Sequence, residues 1–167
     1  MPLPKSTGMS RDEEYIQETD EEYIREALDL ARDAVSDGNT PFGSLLVVDD
    51  AVVKRSKNTT RTDDDITAHP ELKLARWAAR ELDADERRTC TMYTSTEPCE
   101  MCATAVHYAG LNRVVFSVSG RSLADLRGKT NSGVSCEEII ERKGGSTAVD
   151  GPILEAEGLG VHQEFYL

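Results

Sequence analysis

The chain has 167 residues, with 19 Lys and Arg against 31 Asp and Glu and a formal net charge of −12. Its length fits one domain, and a core of that size buries about 70% of the unfolded surface without help from disulfides or metals. The sequence also argues against a membrane-spanning protein, since no stretch of about 18 apolar residues occurs. The net charge disfavours a nucleic-acid partner, which clustered Lys and Arg would bind.

The N-terminal residues lack regular patterning. Residues 1–18 are polar, and we expect them to form a flexible tail ahead of a single domain at residues 19–167. No apolar secretory signal is present, so we expect the protein to be cytoplasmic, where thiols stay reduced. The four cysteines are therefore predicted to be metal ligands or buried thiols. They are Cys90, Cys99, Cys102 and Cys136.

Helical and strand patterns alternate along the first two thirds of the chain. A capping box at Thr19 and Glu22, followed by apolar residues at helical spacing, predicts a first helix that ends at Gly38. Apolar runs on either side of Asp49 and Asp50 predict a hairpin. The elements after the first helix are predicted at residues 42–48, 51–57, 70–82, 89–96, 99–109 and 112–118.

This order predicts an α/β fold, a three-layer α/β/α sandwich with a mixed five-stranded sheet. The C-terminal third is less regular. It is predicted to contain a loop at 121–133 with a short turn at 123–126, a helix at 136–142, a fifth strand at 147–149 and a terminal helix at 153–165.

Two short motifs open two of the predicted helices, one at residues 69–71 and one at residues 98–102. Cys99 and Cys102 are three residues apart, so both sulfurs lie on one helix face, at an N-terminus that favours thiolates. With His69 they supply three protein ligands for zinc. The fourth position is then open for water, which is typical of catalytic rather than structural zinc.

Glu71 follows His69 by two residues and is not needed as a metal ligand. A carboxylate beside zinc-bound water can take the water's proton and hand it on. The pattern H-x-E followed by P-C-x-x-C is the known signature of zinc deaminases. A lone C-x-x-C would be weak, but the upstream pair makes a zinc deaminase site the favoured interpretation.

On these residues the sequence resembles the cytidine deaminase superfamily, in the branch of guanine deaminases, yeast-type cytosine deaminases and tRNA adenosine deaminases. The resemblance covers residues 20–118 well and the remainder poorly. One departure is Pro70, where the family usually has Ala, and we expect it to alter the helix start and the pocket rim. The matching residues lie at 41–43, 58, 67–71, 93–102 and 113–116.

The resemblance implies hydrolytic deamination by zinc-bound hydroxide, with Glu71 as the proton shuttle. It also implies one zinc ion per chain and a homodimer. The implied zinc ligands are His69, Cys99 and Cys102, and the expected substrate-binding residues are Asn58, His69, Glu71 and Pro98.

The acidic charge favours a small substrate, a nucleobase or nucleoside of guanine or cytosine type. Two alternatives stay open: a tRNA-specific adenosine deaminase, and a non-catalytic structural zinc protein of the same fold. Cys136 is a weak candidate for a fourth ligand, and Cys90 reads as a buried thiol. His162 is a candidate pocket residue, although a role on the helix face is favoured.

The acidity also predicts something about the solvent. Only six of the 19 basic residues are Lys, and the acidic residues are spread along the whole chain. Such a surface suits high salt, where self-repulsion is screened. A halophilic source is therefore a hypothesis, and if it holds, the charge argues less strongly against tRNA.

Overall fold

The structure, a computed structural model, describes residues 8–167. The helices are α1 (Arg11–Ser36), α2 (Pro70–Glu81), α3 (Ala84–Thr89), α4 (Glu100–Ala109), α5 (Gly120–Leu126), α6 (Cys136–Arg142) and α7 (Glu155–Tyr166). The strands are β1 (Gly43–Val48), β2 (Ala51–Lys57), β3 (Thr91–Thr96), β4 (Arg113–Val118) and β5 (Ala148–Asp150). None of the described helices is long and apolar enough to cross a membrane.

The five strands form one mixed sheet in the order β2-β1-β3-β4-β5. β1 pairs antiparallel with both β2 and β3, whereas β4 pairs parallel with both β3 and β5. Asp49 and Asp50 join β1 to β2 with φ angles of 50° and 60°. Two successive residues at positive φ are what a tight two-residue hairpin turn requires, so the predicted hairpin is confirmed.

Helices cover both faces of this sheet, because alternate residues of a strand point to opposite sides. In β1, Leu45 and Val47 pack with residues of α1 and α7, whereas Leu46 and Val48 pack with residues of α2 and α4. Both sets are buried. The three-layer α/β/α sandwich with a mixed five-stranded sheet is therefore confirmed.

The first helix begins at Arg11 and not near Thr19, so the structure differs from the predicted tail. Ser10 is the N-cap, and it forms a capping box with Glu13 in which each side chain accepts a hydrogen bond from the other's backbone N–H. Residues 11–18 are helical but solvent-exposed. A polar composition is typical of a solvated helix as well as of a flexible tail, which is why the prediction was wrong for residues 11–18. Residues 1–7 lie outside the described residues.

Two further elements differ from the prediction. The short helix α3 was missed, although Asp83 and Glu86 form a capping box at its start. The turn predicted at 123–126 is the second half of α5. Both helices span under two turns and bury few residues, so they lack the apolar periodicity on which sequence prediction depends.

A buried polar cluster ties α1 to the sheet. The guanidinium of Arg113 donates two hydrogen bonds to the carboxylate of Asp20, at 2.8 and 2.9 Å. The hydroxyl of Tyr93 donates to the same carboxylate at 2.7 Å. Because Asp20 is only 5% exposed, this paired charge fixes how α1 lies on β3 and β4.

Candidate active site

The starts of α2 and α4 bring the two sequence motifs together. His69 is the N-cap of α2, Cys99 is the N-cap of α4, and Cys102 lies in the first turn of α4. The imidazole Nδ1 of His69 lies 3.7 Å from Cys99 Sγ and 3.6 Å from Cys102 Sγ. All three potential ligand atoms lie within 4.8 Å of one another.

These distances fit a tetrahedral zinc ion. Zinc bonds of about 2.3 Å to sulfur and about 2.0–2.1 Å to nitrogen place the two donor atoms about 3.6 Å apart at the tetrahedral angle. The observed nitrogen–sulfur separations agree with that value. One imidazole nitrogen and two sulfurs are also ligand types that zinc prefers. His69, Cys99 and Cys102 could therefore hold a zinc ion.

The remaining two cysteines lie away from this cluster. Cys136 is buried against Ala103 and Ile140, and Cys90 lies in the core between the sheet, α2 and α4. Burial raises the pKa of each thiol to about 12, as it does for a thiol among apolar neighbours. The prediction that Cys90 is a buried thiol is confirmed. Cys136 is also a buried thiol, and the weaker alternative of Cys136 as a fourth ligand is wrong.

The cluster favours a thiolate before any metal arrives. The hydrogen bond from Cys102, together with His69, lowers the pKa of Cys99 to about 4. The hydrogen bond between the two thiols, together with burial, raises the pKa of Cys102. This pairing favours the thiolate form of Cys99, which is the form that binds a metal.

Glu71 is buried beside the cluster, in the first turn of α2. Its Oε1 accepts hydrogen bonds from the hydroxyls of Thr94 at 2.8 Å and Ser44 at 3.2 Å. The Ser44 and Thr94 hydroxyls lie 2.7 Å apart, so the carboxyl group is held by two neighbouring strands. Burial raises the pKa of Glu71 above its usual value, which suits a group that must both accept and release a proton.

Removing the Thr94 hydroxyl is expected to impair the chemical step and to leave metal binding intact. Thr94→Val takes away the shorter of the two hydrogen bonds to Glu71, so we expect kcat to fall about tenfold or more, with little change in KM. Steady-state kinetics and the zinc content per chain measure this. Thr91→Val, on the same strand outside the site, is the control. An unchanged kcat for Thr94→Val contradicts the positioning role.

A cavity of about 560 Å³ opens beside the cluster. Its volume falls within the range typical of small-molecule sites, about 300–1,000 Å³. The site residues predicted from the sequence, apart from the buried Cys102, line its wall. They are Asn58, His69, Glu71, Pro98 and Cys99.

Asn58 combines a structural role with a place in this wall. Its Oδ1 accepts hydrogen bonds from the backbone N–H of Thr60 at 3.1 Å and from the Thr60 hydroxyl at 2.9 Å. These contacts cap the turn after β2 and fix the side chain. Asn58 is only 2% exposed, yet it borders the cavity. Its role in capping this turn is therefore compatible with the substrate contact predicted for Asn58.

The opposite wall of the cavity is held by the two glutamates that flank Cys99. Glu97 accepts hydrogen bonds from the backbone N–H groups of Gly120 and Cys136, both at 2.9 Å. Glu100 accepts one from the N–H of Val134 at 2.8 Å. Both carboxylates therefore anchor the C-terminal segment over the site, although Glu100 itself is solvent-exposed.

His162 lies beneath the cavity rather than in its wall. Its Nε2 lies 2.7 Å from the hydroxyl of Thr96, and its ring lies 5.4 Å from that of Phe42. Both of these neighbours line the cavity. His162 is only 2% exposed, and burial, with the nearby charge of Arg127, lowers its pKa to about 4.

This burial makes a pH-dependent contribution to stability. An unfolded His binds a proton below its usual pKa of 6.5, whereas His162 in the folded chain does so only near pH 4. Its contribution is therefore complete above pH 6.5 and is lost as the pH falls toward 4. We expect the wild type to lose about 2–3 kcal/mol more than His162→Gln between pH 7 and pH 4.5, measured by urea unfolding. Equal losses contradict the assignment.

The fold and the cluster together define a class of protein. A His, Cys, Cys set at two helix starts, with a buried glutamate beside it, is the arrangement expected of zinc-dependent deaminases. Residues 17–118 match the family described as the cytidine and deoxycytidylate deaminase zinc-binding region. The chain belongs to this family.

Relatives in this family differ in what they act on. The chain is 31% identical over 158 residues to a probable cytosine deaminase of Schizosaccharomyces pombe, covering 90% of this chain and 94% of that protein. It is 34% identical over 106 residues to a guanine deaminase of Bacillus subtilis, covering 63% and 68%. A solved structure from work on A-to-I editing by tRNA:A34 deaminases matches with a TM-score of 0.68 and 28% identity, covering 84% and 98%.

Proposed function

We propose that this chain hydrolyses the exocyclic amine of a small nucleobase or nucleoside of guanine or cytosine type, with one zinc ion per chain, and releases ammonia. The observation that carries the proposal is the burial of Glu71 beside the His69, Cys99 and Cys102 donor atoms, in the wall of the cavity. A carboxyl group held at a three-ligand metal cluster serves hydrolysis, whereas a closed structural site needs a fourth protein ligand.

In this proposal, the chain's own residues perform the proton transfers. His69, Cys99 and Cys102 would hold a zinc ion, which would supply a Lewis acid that makes the attacking water more acidic. Glu71 takes one proton from the attacking water and delivers it to a ring nitrogen; it then takes the remaining hydroxyl proton and delivers it to the departing amine. The water oxygen forms a bond to the amine-bearing carbon and becomes the carbonyl oxygen, while the bond from that carbon to the amine breaks and ammonia leaves. Thr94 keeps the carboxyl oriented throughout.

The substrate is held by the remaining cavity residues. Asn58 and Pro98 border the cavity next to Glu71, where a planar base placed for attack lies between them. Similarity to a cytosine deaminase and a guanine deaminase supports a base or nucleoside of those types.

A panel of bases and nucleosides tests the proposal. The zinc-loaded protein is incubated with each compound, and ammonia is quantified by a coupled assay. We expect release from at least one compound, with the matching carbonyl product seen by mass spectrometry. A zinc-loaded, folded protein that releases ammonia from none of them contradicts the small-molecule proposal.

A tRNA-specific adenosine deaminase is the second candidate, because such an enzyme from Agrobacterium fabrum is 36% identical over 94 residues. The net charge of −12 argues against it, since tRNA binding relies on Lys and Arg at the phosphate backbone. Inosine formed in tRNA incubated with the protein decides in its favour.

Two further properties are proposed. A homodimer is supported by the exposure of Met101 and Tyr108 on α4, which leaves apolar surface for a second copy to cover. The cytoplasmic location stays a prediction from the sequence.

A salt-adapted chain should gain stability in concentrated salt. With a net charge of −12, self-repulsion falls as screening grows, so we expect the unfolding temperature to rise between 0.1 and about 2 M KCl. Differential scanning fluorimetry measures the shift. Highest stability and activity in dilute buffer contradict the halophilic hypothesis.

A further inference from the structure

Asn58 directly follows β2 and borders the cavity next to the start of α2. The backbone N–H of Thr59 donates a hydrogen bond to the carbonyl of Ala68 at 3.1 Å, just ahead of that helix. Thr60 engages Oδ1 of Asn58, so within residues 8–167 the Nδ2 amide is the end of the side chain left for a ligand. Where this amide lies therefore depends on how residues 57–60 are held against α2.

Lys73 of α2 contacts the residues on both sides of Asn58. Its ammonium group donates hydrogen bonds to the carbonyl of Lys57 at 2.7 Å and to the hydroxyl of Thr59 at 2.9 Å. The Thr59 hydroxyl in turn donates to the carboxylate of Asp63 at 2.6 Å, so its lone pairs are left to face the ammonium group. We call the two hydrogen bonds from Lys73 to Lys57 and Thr59 the Lys73 clamp.

The position of Lys73 separates it from any ligand in the cavity. It lies outside the described wall of the main cavity and lines a separate cleft of about 260 Å³ between β2 and α2. Burial lowers the pKa of Lys73, so keeping the charge there costs free energy that its hydrogen bonds must offset. Its direct hydrogen bonds are to the segment that carries Asn58.

We propose, resting on the proposed function, that Lys73 is a positioning residue that holds Asn58 in register with Glu71. His69 and Glu71 lie at the start of α2, and the Lys73 clamp ties the segment of Asn58 to the same helix. A base bound by Asn58 is then placed against the group that transfers the proton. In such an arrangement a displacement of about 1 Å costs up to about 100-fold in rate.

Hydrogen exchange tests the Lys73 clamp without any substrate. Zinc-loaded wild type and Lys73→Met are compared by mass spectrometry, since Met keeps much of the aliphatic stem but donates no hydrogen bond. We expect the amides of residues 58–60 to exchange at least about tenfold faster in Lys73→Met, while those of α4 keep their rate. Arg80→Met is the control, because it removes an exposed cation farther along α2 and should leave residues 58–60 unchanged.

A double-mutant cycle tests whether the Lys73 clamp acts through Asn58. With the best substrate, we expect Lys73→Met to lower kcat/KM at least about tenfold in the wild-type background and less than about threefold in the Asn58→Ala background. Lys73→Arg can still donate to both oxygens and is expected to keep at least about a third of the wild-type kcat/KM. The zinc content of every sample should stay at about one per chain, because the three ligands are untouched.

The outcomes separate this inference from the proposed function. Unchanged exchange at residues 58–60 in Lys73→Met overturns the Lys73 clamp. Equal losses of kcat/KM in the two backgrounds overturn its action through Asn58, even though ammonia is released. A Lys73→Arg protein as impaired as Lys73→Met overturns the role of the hydrogen bonds. Faster exchange in Lys73→Met, without ammonia release from any compound by the wild type, supports the clamp and contradicts the deaminase proposal.

Discussion

Replacing Glu71 by Gln is expected to lower kcat for ammonia release by about 10³-fold and to leave the zinc content at one per chain. General acid–base catalysis contributes about 10²–10⁴-fold, and Glu71 is the carboxyl group buried beside the metal cluster and bordering the cavity. Gln keeps the size and can still accept hydrogen bonds from Thr94 and Ser44, so the loss reports proton transfer rather than collapse of the site. Steady-state kinetics and metal analysis on the same sample measure both quantities.

The control for this variant lies on the same helix. Glu81→Gln removes an exposed carboxylate at the other end of α2 and should leave kcat unchanged. A Glu71→Gln protein whose kcat stays within about tenfold of the wild type contradicts the proton-shuttle role, because general acid–base catalysis is worth more than that.

Replacing Cys99 by Ala is expected to abolish zinc binding and activity while the chain stays folded. Two buried clusters on opposite faces of the sheet form the core, and neither includes Cys99. We therefore expect cooperative unfolding to persist, with zinc below about 0.1 per chain, since two protein ligands hold zinc poorly. Circular dichroism and metal analysis measure the two properties.

This variant separates a catalytic from a structural metal. A structural zinc protein predicts the reverse pattern, in which Cys99→Ala unfolds the chain and Glu71→Gln changes nothing. Cys136→Ala is the matched control, because it removes a buried thiol that lies outside the metal cluster. If Cys136→Ala also loses zinc, the assignment of the three ligands is contradicted.

The metal cluster could be predicted from the sequence because each motif is local. His69 and Glu71 share one helix start, and Cys99 and Cys102 share another, so short-range helix geometry fixes most of their arrangement. The residues that hold Glu71 were missed. Ser44 is the one polar side chain in an otherwise apolar buried strand, and Thr94 lies in a polar stretch of another. Buried hydroxyls in core strands were the available signal, since such groups need partners.

The position of residues 120–136 over the cavity could not be predicted, because it depends on contacts between residues distant in sequence. Glu97 holds residues 120 and 136, and Glu100 holds residue 134, across 23 to 39 positions. The helix predicted at 136–142 is confirmed as α6, whereas α5 spans only seven residues, over which periodicity is weak. The first helix was predicted too short because its first two turns are solvent-exposed and bury no side chain.

The dependence of ammonia release on zinc tests the account most directly. Metal-free protein is titrated with zinc in the presence of the best substrate, and the initial rate is recorded against bound zinc. We predict a rate that rises linearly and stops rising at one zinc per chain, and that stays at background throughout for Glu71→Gln. Full zinc occupancy with no ammonia from any base or nucleoside, or an equal rate without zinc, contradicts it.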